Sequence, residues 1–207
     1  MALVKYNNNS ISAVTSASSI PSGALTLIKT LTASSSATLS FVDGSSDVVL
    51  DSTYPIYKFE FINIHPATDG ADLQFNMSTD GGSNYNVTKT TTSFLSYHNE
   101  SDSATALTYN ASWDLAQSTD FKQIAQDIGN GNDESASGEL TLFNPSSTTF
   151  VKHFISRLNH YHDSNYSFDN FSAGYGNTTN SIDAIRFRMN TGNIDSGTIK
   201  LYGIKDS

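Results

Sequence analysis

The sequence predicts an all-β protein: an antiparallel β-sandwich, jelly-roll-like, with an extended N-terminal arm. Three observations predict it. Ser (32), Thr (22) and Asn (19) account for 73 of the 207 residues. Hydroxyl and carboxamide side chains compete with helical backbone hydrogen bonds and favour turns, and Thr also suits strands. Twelve Phe and ten Tyr supply core bulk that a disordered chain lacks. Short alternating runs broken by Gly, Asn, Asp and Pro recur along the chain, as strands and turns do.

Residues 1–24 read as the arm. Leu3, Val4, Tyr6, Ile11, Val14 and Ile20 recur along it without a strand or helix period. They are too sparse for a core of their own, so the arm is expected to order by docking on a neighbour. Residues 25–207 read as one sandwich domain, long enough to bury a core without disulfide or metal staples. Its predicted strands begin with Leu25–Leu31 and Ala37–Val42. Ile56–Ile64 follows, with Tyr57, Phe59 and Phe61 on one face and Ile56, Ile62 and Ile64 on the other. Leu73–Ser78 and Asn84–Thr91 flank Thr79-Asp80-Gly81-Gly82, where Asp-Gly predicts a two-residue hairpin turn.

Residues 99–136 read as loop-rich. Within them Phe121, Ile124, Ala125 and Ile128 fit one short amphipathic helix ended by Gly129, although an extended reading fits as well. Strands resume at Gly138–Phe143 and Thr149–Leu158. Ala184–Met189 and Thr198–Ile204 form a last pair across the Gly-rich Asn190–Gly197.

The net charge of −9 lies mostly in residues 43–139, which hold 15 acids and 3 bases. A surface so acidic repels phosphate backbones, so nucleic acid is not an expected partner. No segment reaches the ~18 apolar residues of a membrane-spanning helix, and the N-terminus shows no apolar run of signal-peptide length. The chain has no Cys, which removes disulfide and thiolate chemistry.

Candidate chemistry is thin. His160 and His162 would share one face of a strand, where two imidazoles with Asp163 and His153 resemble a zinc set. The preferred reading of the same residues is two surface histidines in the loop after a strand, and no metal site is expected. Asp127–Glu134 is acidic and Gly-rich, yet lacks the spacing of a calcium loop. No Gly-x-Ser-x-Gly is present, and no paired-carboxylate signature stands out, so an enzyme is not expected and no cofactor is implied. Tyr97, Tyr109 and Trp113 flank the acidic loop region. They could form a stacking platform for sugars, a protein interface, or a cover for the open end of the sandwich.

Several stretches carry a family resemblance: Met1-Ala2-Leu3-Val4-Lys5, "LIKTLTASSSATLSFVDG" (27–44), "YPIYKFEFINIHPATDGADLQFNMSTDGGSNY" (54–85) and "SGTIKLYGI" (196–204). Together they resemble small β-sandwich proteins of marine tailed bacteriophages, placed as capsid decoration or tail-fibre components. The resemblance implies a virion structural protein, assembled in the host cytoplasm as a homo-oligomer among other virion proteins. It implies no catalytic residues. Recognition of a host surface glycan is the alternative role.

Overall fold

The computed structural model describes residues 24–205, and the six arm residues named above lie outside them. The described chain forms twelve strands and one 3₁₀ turn, Ala111–Trp113. The strands are β1 (Leu25–Thr32), β2 (Leu39–Val42), β3 (Ile56–Pro66), β4 (Ala71–Ser78), β5 (Lys89–Asn99), β6 (Thr105–Tyr109), β7 (Lys122–Ile128), β8 (Ala136–Phe143), β9 (Lys152–His162), β10 (Tyr166–Gly176), β11 (Ala184–Met189) and β12 (Ile194–Ile204). The strand pairings are antiparallel, and the sheet curls into a nearly closed, barrel-like shape.

Two layers emerge from the pairing. One runs β1-β12-β3-β8-β9-β10-β5-β6, and the other runs β7-β4-β11-β2. They join at one corner, where Ile128 of β7 pairs with His162 of β9. Antiparallel all-β architecture is therefore what the sequence encodes. Twelve strands exceed the eight of a jelly roll, and that finer topology is not carried forward.

An aromatic cluster locks the layers. Phe187 of β11 contacts Phe59 and Phe61 of β3 at 5.3 and 5.1 Å, and Phe41 of β2 meets Phe59 at 5.4 Å. Phe75 of β4 meets Phe154 of β9 edge-on at 4.9 Å. Such pairs add about 0.5–1.5 kcal/mol each beyond the area they bury.

Five expectations are corrected, the last being the loop-rich reading of residues 99–136. The first concerns β3, which keeps its inward Tyr57, Phe59 and Phe61, but a bulge follows. Asn63 takes φ 51, and the register against β8 shifts between Phe61 and Ile64. The slip turns Ile64 into the core at 0 % exposure and leaves Ile62 38 % exposed. The second concerns residues 122–128, where the extended alternative holds and the helical one does not: they form β7. Register shifts in its pairing with β4 bury both Ile124 and Ala125, which copies a helical i+3, i+4 spacing.

The third concerns the turn at Asp80. Gly81 has the expected positive φ of 69, but Gly82 follows with φ 78. β4 pairs with β7 and β11, whereas β5 pairs with β6 and β10, so no hairpin joins them. Asp80 instead organises a wider loop, accepting hydrogen bonds from Ser78 Oγ at 2.8 Å and from the Asn84 main chain at 2.9 Å. The fourth concerns β11 and β12, which cross between layers and do not pair with each other. The 99–136 stretch, read as loop-rich, contains β6 and β7.

Candidate functional site

The outer face of the large layer carries the most distinctive surface. A cross-strand row runs from Tyr109 (β6) through Phe94 (β5) and Phe171 (β10) to Arg157 (β9) and Glu139 (β8). Phe94 and Phe171 stack with centroids 4.6 Å apart and planes 5° apart. Arg157 lies 4.7 Å over the Phe171 ring and grips Asp169 through Nε and Nη2, the shortest contact being 2.7 Å. Period-2 alternation puts these residues on one face because their strands register without a bulge.

Large apolar side chains on this face meet solvent beside its charged ones. Leu107 is 74 %, Tyr109 62 %, Ile155 56 % and Phe94 42 % exposed. Beside the row, Ala173 and Gly174 of β10 leave a groove of ≈ 490 Å³ walled by Thr90, Phe143, Ile155 and Tyr175. Side chains on Gly174 are barred, since a Cβ there would stand 2.5 Å from the Thr90 carbonyl oxygen. Charges nearby are paired within the face: Arg157 with Asp169, and Lys58 with Glu139 at 2.6 Å. Contiguous exposed apolar surface of this kind marks interaction sites.

The three aromatics singled out in the sequence do not meet as one platform. Tyr109 belongs to the exposed row, and its hydroxyl donates to Asp114. Tyr97 points to the opposite side of β5, half-buried against Phe168 at 5.3 Å and Tyr166 at 5.5 Å. Trp113 sits half-buried on the 3₁₀ turn, and its carbonyl accepts from Lys122 Nζ at 2.8 Å.

His160 and His162 do share a face at the end of β9, with ring centroids 6.4 Å apart. His162 contacts Asp163 at 2.9 Å, and His153 lies on the other face against Tyr175. Among the described residues no group of three or more His, Cys, Asp or Glu is placed to hold a metal ion. His160 is 1 % exposed, and neither ring nitrogen has a hydrogen-bond partner among the described residues. Burial, reinforced by the neighbouring His162, pushes its pKa down to about 3.

Three interior lysines escape a sequence reading. Lys89, Lys122 and Lys152 each open a strand, and each is 0 % exposed. Lys122 Nζ donates to Ser93 Oγ at 2.5 Å and to the Trp113 carbonyl. Lys152 Nζ is held by the carbonyls of Ser147 at 2.6 Å and Phe150 at 2.7 Å. Lys89 Nζ donates to Asn76 Oδ1 at 2.6 Å and to the Val87 carbonyl at 2.7 Å. Burial lowers all three pKa values, to about 7 for Lys89 and about 8 for Lys122. A fully buried lysine is rare, and its surroundings come from distant strands, so no local motif announces it.

No family model matches the chain, and no curated protein or solved structure matches it.

Proposed function

We propose that the chain is a structural component of a bacteriophage particle, of capsid-decoration or tail type, that works by packing against neighbouring subunits. The particle assignment rests on the sequence resemblance. The packing rests on the exposed strip of Leu107, Tyr109, Phe94 and Ile155. The net charge of −9 would hold copies apart, but the ion pairs within this face leave it a place where two copies can meet without repulsion. Burying the exposed part of these four side chains, 42–74 % of each, recovers roughly 1–2 kcal/mol apiece, from which ordering costs are subtracted.

Sedimentation tests this reading. The wild-type chain sediments as an oligomer, and Leu107→Lys with Ile155→Lys sediments as a monomer of unchanged fold. A monomeric wild-type chain at high concentration, alone and with particle proteins, defeats the proposal.

One observation favours recognition of a host surface glycan as the second reading. A polar pocket of ≈ 350 Å³ opens among His98, Asn99, Glu100, Asn159, Tyr161 and Tyr166. The Tyr161 hydroxyl, 2.9 Å from both Glu100 Oε1 and Asn165 Oδ1, is fixed to present its ring. Glycan-array binding lost in Tyr161→Ala supports this role, and an array without signal removes it.

A further inference from the structure

We propose that Lys89 and Asn76 join in an intramolecular isopeptide bond, linking the end of β4 to the start of β5 with release of ammonia. Of the three buried lysines, Lys122 and Lys152 face hydroxyl or main-chain carbonyl oxygens, whereas Lys89 faces a side-chain carboxamide. Both partners are 0 % exposed. Nζ is 2.6 Å from Oδ1, so the amine and the carboxamide are in direct contact, the proximity that turns a bimolecular condensation into an intramolecular one.

The carboxamide is held as the reaction requires. Oδ1 accepts from the Met77 main-chain N–H at 2.8 Å, a donor placed where negative charge develops. Nδ2, the leaving nitrogen, is fixed by the carbonyls of Tyr85 at 2.7 Å and Thr119 at 2.9 Å. The amide plane therefore cannot swing away from the lysine. The buried Met77 and Val87 lie close to Gly176, the residue that pairs with Lys89 across the β5–β10 ladder. Burial also leaves a substantial neutral fraction of Lys89 near pH 7, and an amine activated by desolvation is a competent nucleophile.

The step balances without a co-reactant. The Nζ lone pair attacks Cγ, and a tetrahedral centre forms with its oxygen on the Met77 N–H. A proton passes from Nζ to Nδ2, the Cγ–Nδ2 bond breaks, and ammonia leaves. Asp120 is the acid whose charge acts on Lys89, and it lies at the surface, so no buried carboxylate assists the transfer. The reaction is accordingly slow and is followed over days.

Intact-mass measurement of the purified chain, incubated at about pH 8 where the amine is mostly neutral, reads the outcome. The wild type loses about 17 Da, the mass of ammonia expelled by the attacking amine. Digestion then yields a branched peptide joining residues 76 and 89. Asn76→Ala and Lys89→Met keep their sequence masses, and so does wild-type chain incubated unfolded in guanidinium. The branched peptide comes from the wild type alone, so a variant that fails to fold does not decide the matter. An unchanged wild-type mass, a gain from deamidation, or a loss of ammonia without the branched peptide (a succinimide) each overturns the proposal.

Discussion

Acid should unfold this protein through His160 ahead of most of its carboxylates. The ring is buried, and the neighbouring His162, with its ring centroid 6.4 Å away, further disfavours the charged form. Phe168 packs at 5.4 Å, and the main chain of Gln126 opposes the shift only weakly. The folded pKa of about 3 lies below the ordinary 6.5 of the unfolded chain. The unfolded state therefore takes up the proton first. The stability from a neutral His160 is fully present above pH 6.5 and is lost as pH falls from 6.5 towards 3. At about 1.36 kcal/mol per pH unit, the full loss is roughly 5 kcal/mol, with about 2–3 kcal/mol gone near pH 4.5. Urea unfolding of wild type and His160→Leu across this range measures it. Leu is similar in bulk and does not titrate. Asp51 and Asp80, whose pKa values hydrogen bonds lower, weaken the fold in acid equally in both proteins, so the difference isolates His160. Parallel stability–pH curves for the two proteins would refute the assignment.

Lys122 should act in the alkaline range. Burial holds its folded pKa at about 8 against 10.5 unfolded, so stability rises as pH climbs through that window, by about 3 kcal/mol, and is lost as pH falls back towards 8. Denaturation midpoints for Lys122→Met should show a flatter slope there, and an unchanged slope counts against it. Gly81→Val should cost about 1 kcal/mol, because φ is 69 at Gly81 while no atom lies within 4 Å of the added Cβ. Gly138→Ala should cost more, about 3 kcal/mol, because its Cβ would strike the Arg157 carbonyl oxygen and stand 2.6 Å from Leu158 Cα, neither of which can rotate away. Calorimetry that ranks the two glycine variants the other way would contradict the steric argument.

The strands that a sequence reading finds are those with apolar residues inside. Tyr57, Phe59 and Phe61 in β3 and Leu140 and Leu142 in β8 alternate against polar neighbours and are buried as expected. Bulges are harder to find. Asn63 holds a positive φ that slips β3 by one position, and nothing near Asn63 distinguishes it from the other Asn residues of the chain. β7 was ambiguous for the same reason, since an irregular ladder buries adjacent residues and imitates a helix. Of the candidate aromatics, Tyr109 lies on the exposed face because it pairs with Phe94, a long-range fact of register and not of local sequence.

β10 shows why both a strand and a site stayed hidden. Its sequence alternates, but the polarity is inverted: Asn170 and Ser172 face inward at 6 % and 5 % exposure, while Phe171 and Tyr175 face out. Alternation names the buried face only when the apolar residues occupy it; in β10 Phe168 does, but from Asn170 to Tyr175 they do not. An inner row of Ser93, Ser172 and Ser156 costs free energy unless partners are found. Ser93 finds them in Ser172 at 3.2 Å and in the Lys122 ammonium at 2.5 Å, whereas Ser156 Oγ and Asn170 Oδ1 remain without one among the described residues. A domain that keeps hydroxyls and an ammonium inside this sheet while exposing Phe94, Tyr109 and Ile155 outside it is not at its best alone. On the packing role proposed above, a neighbour covering the outer face would supply the apolar burial that the inner face forgoes.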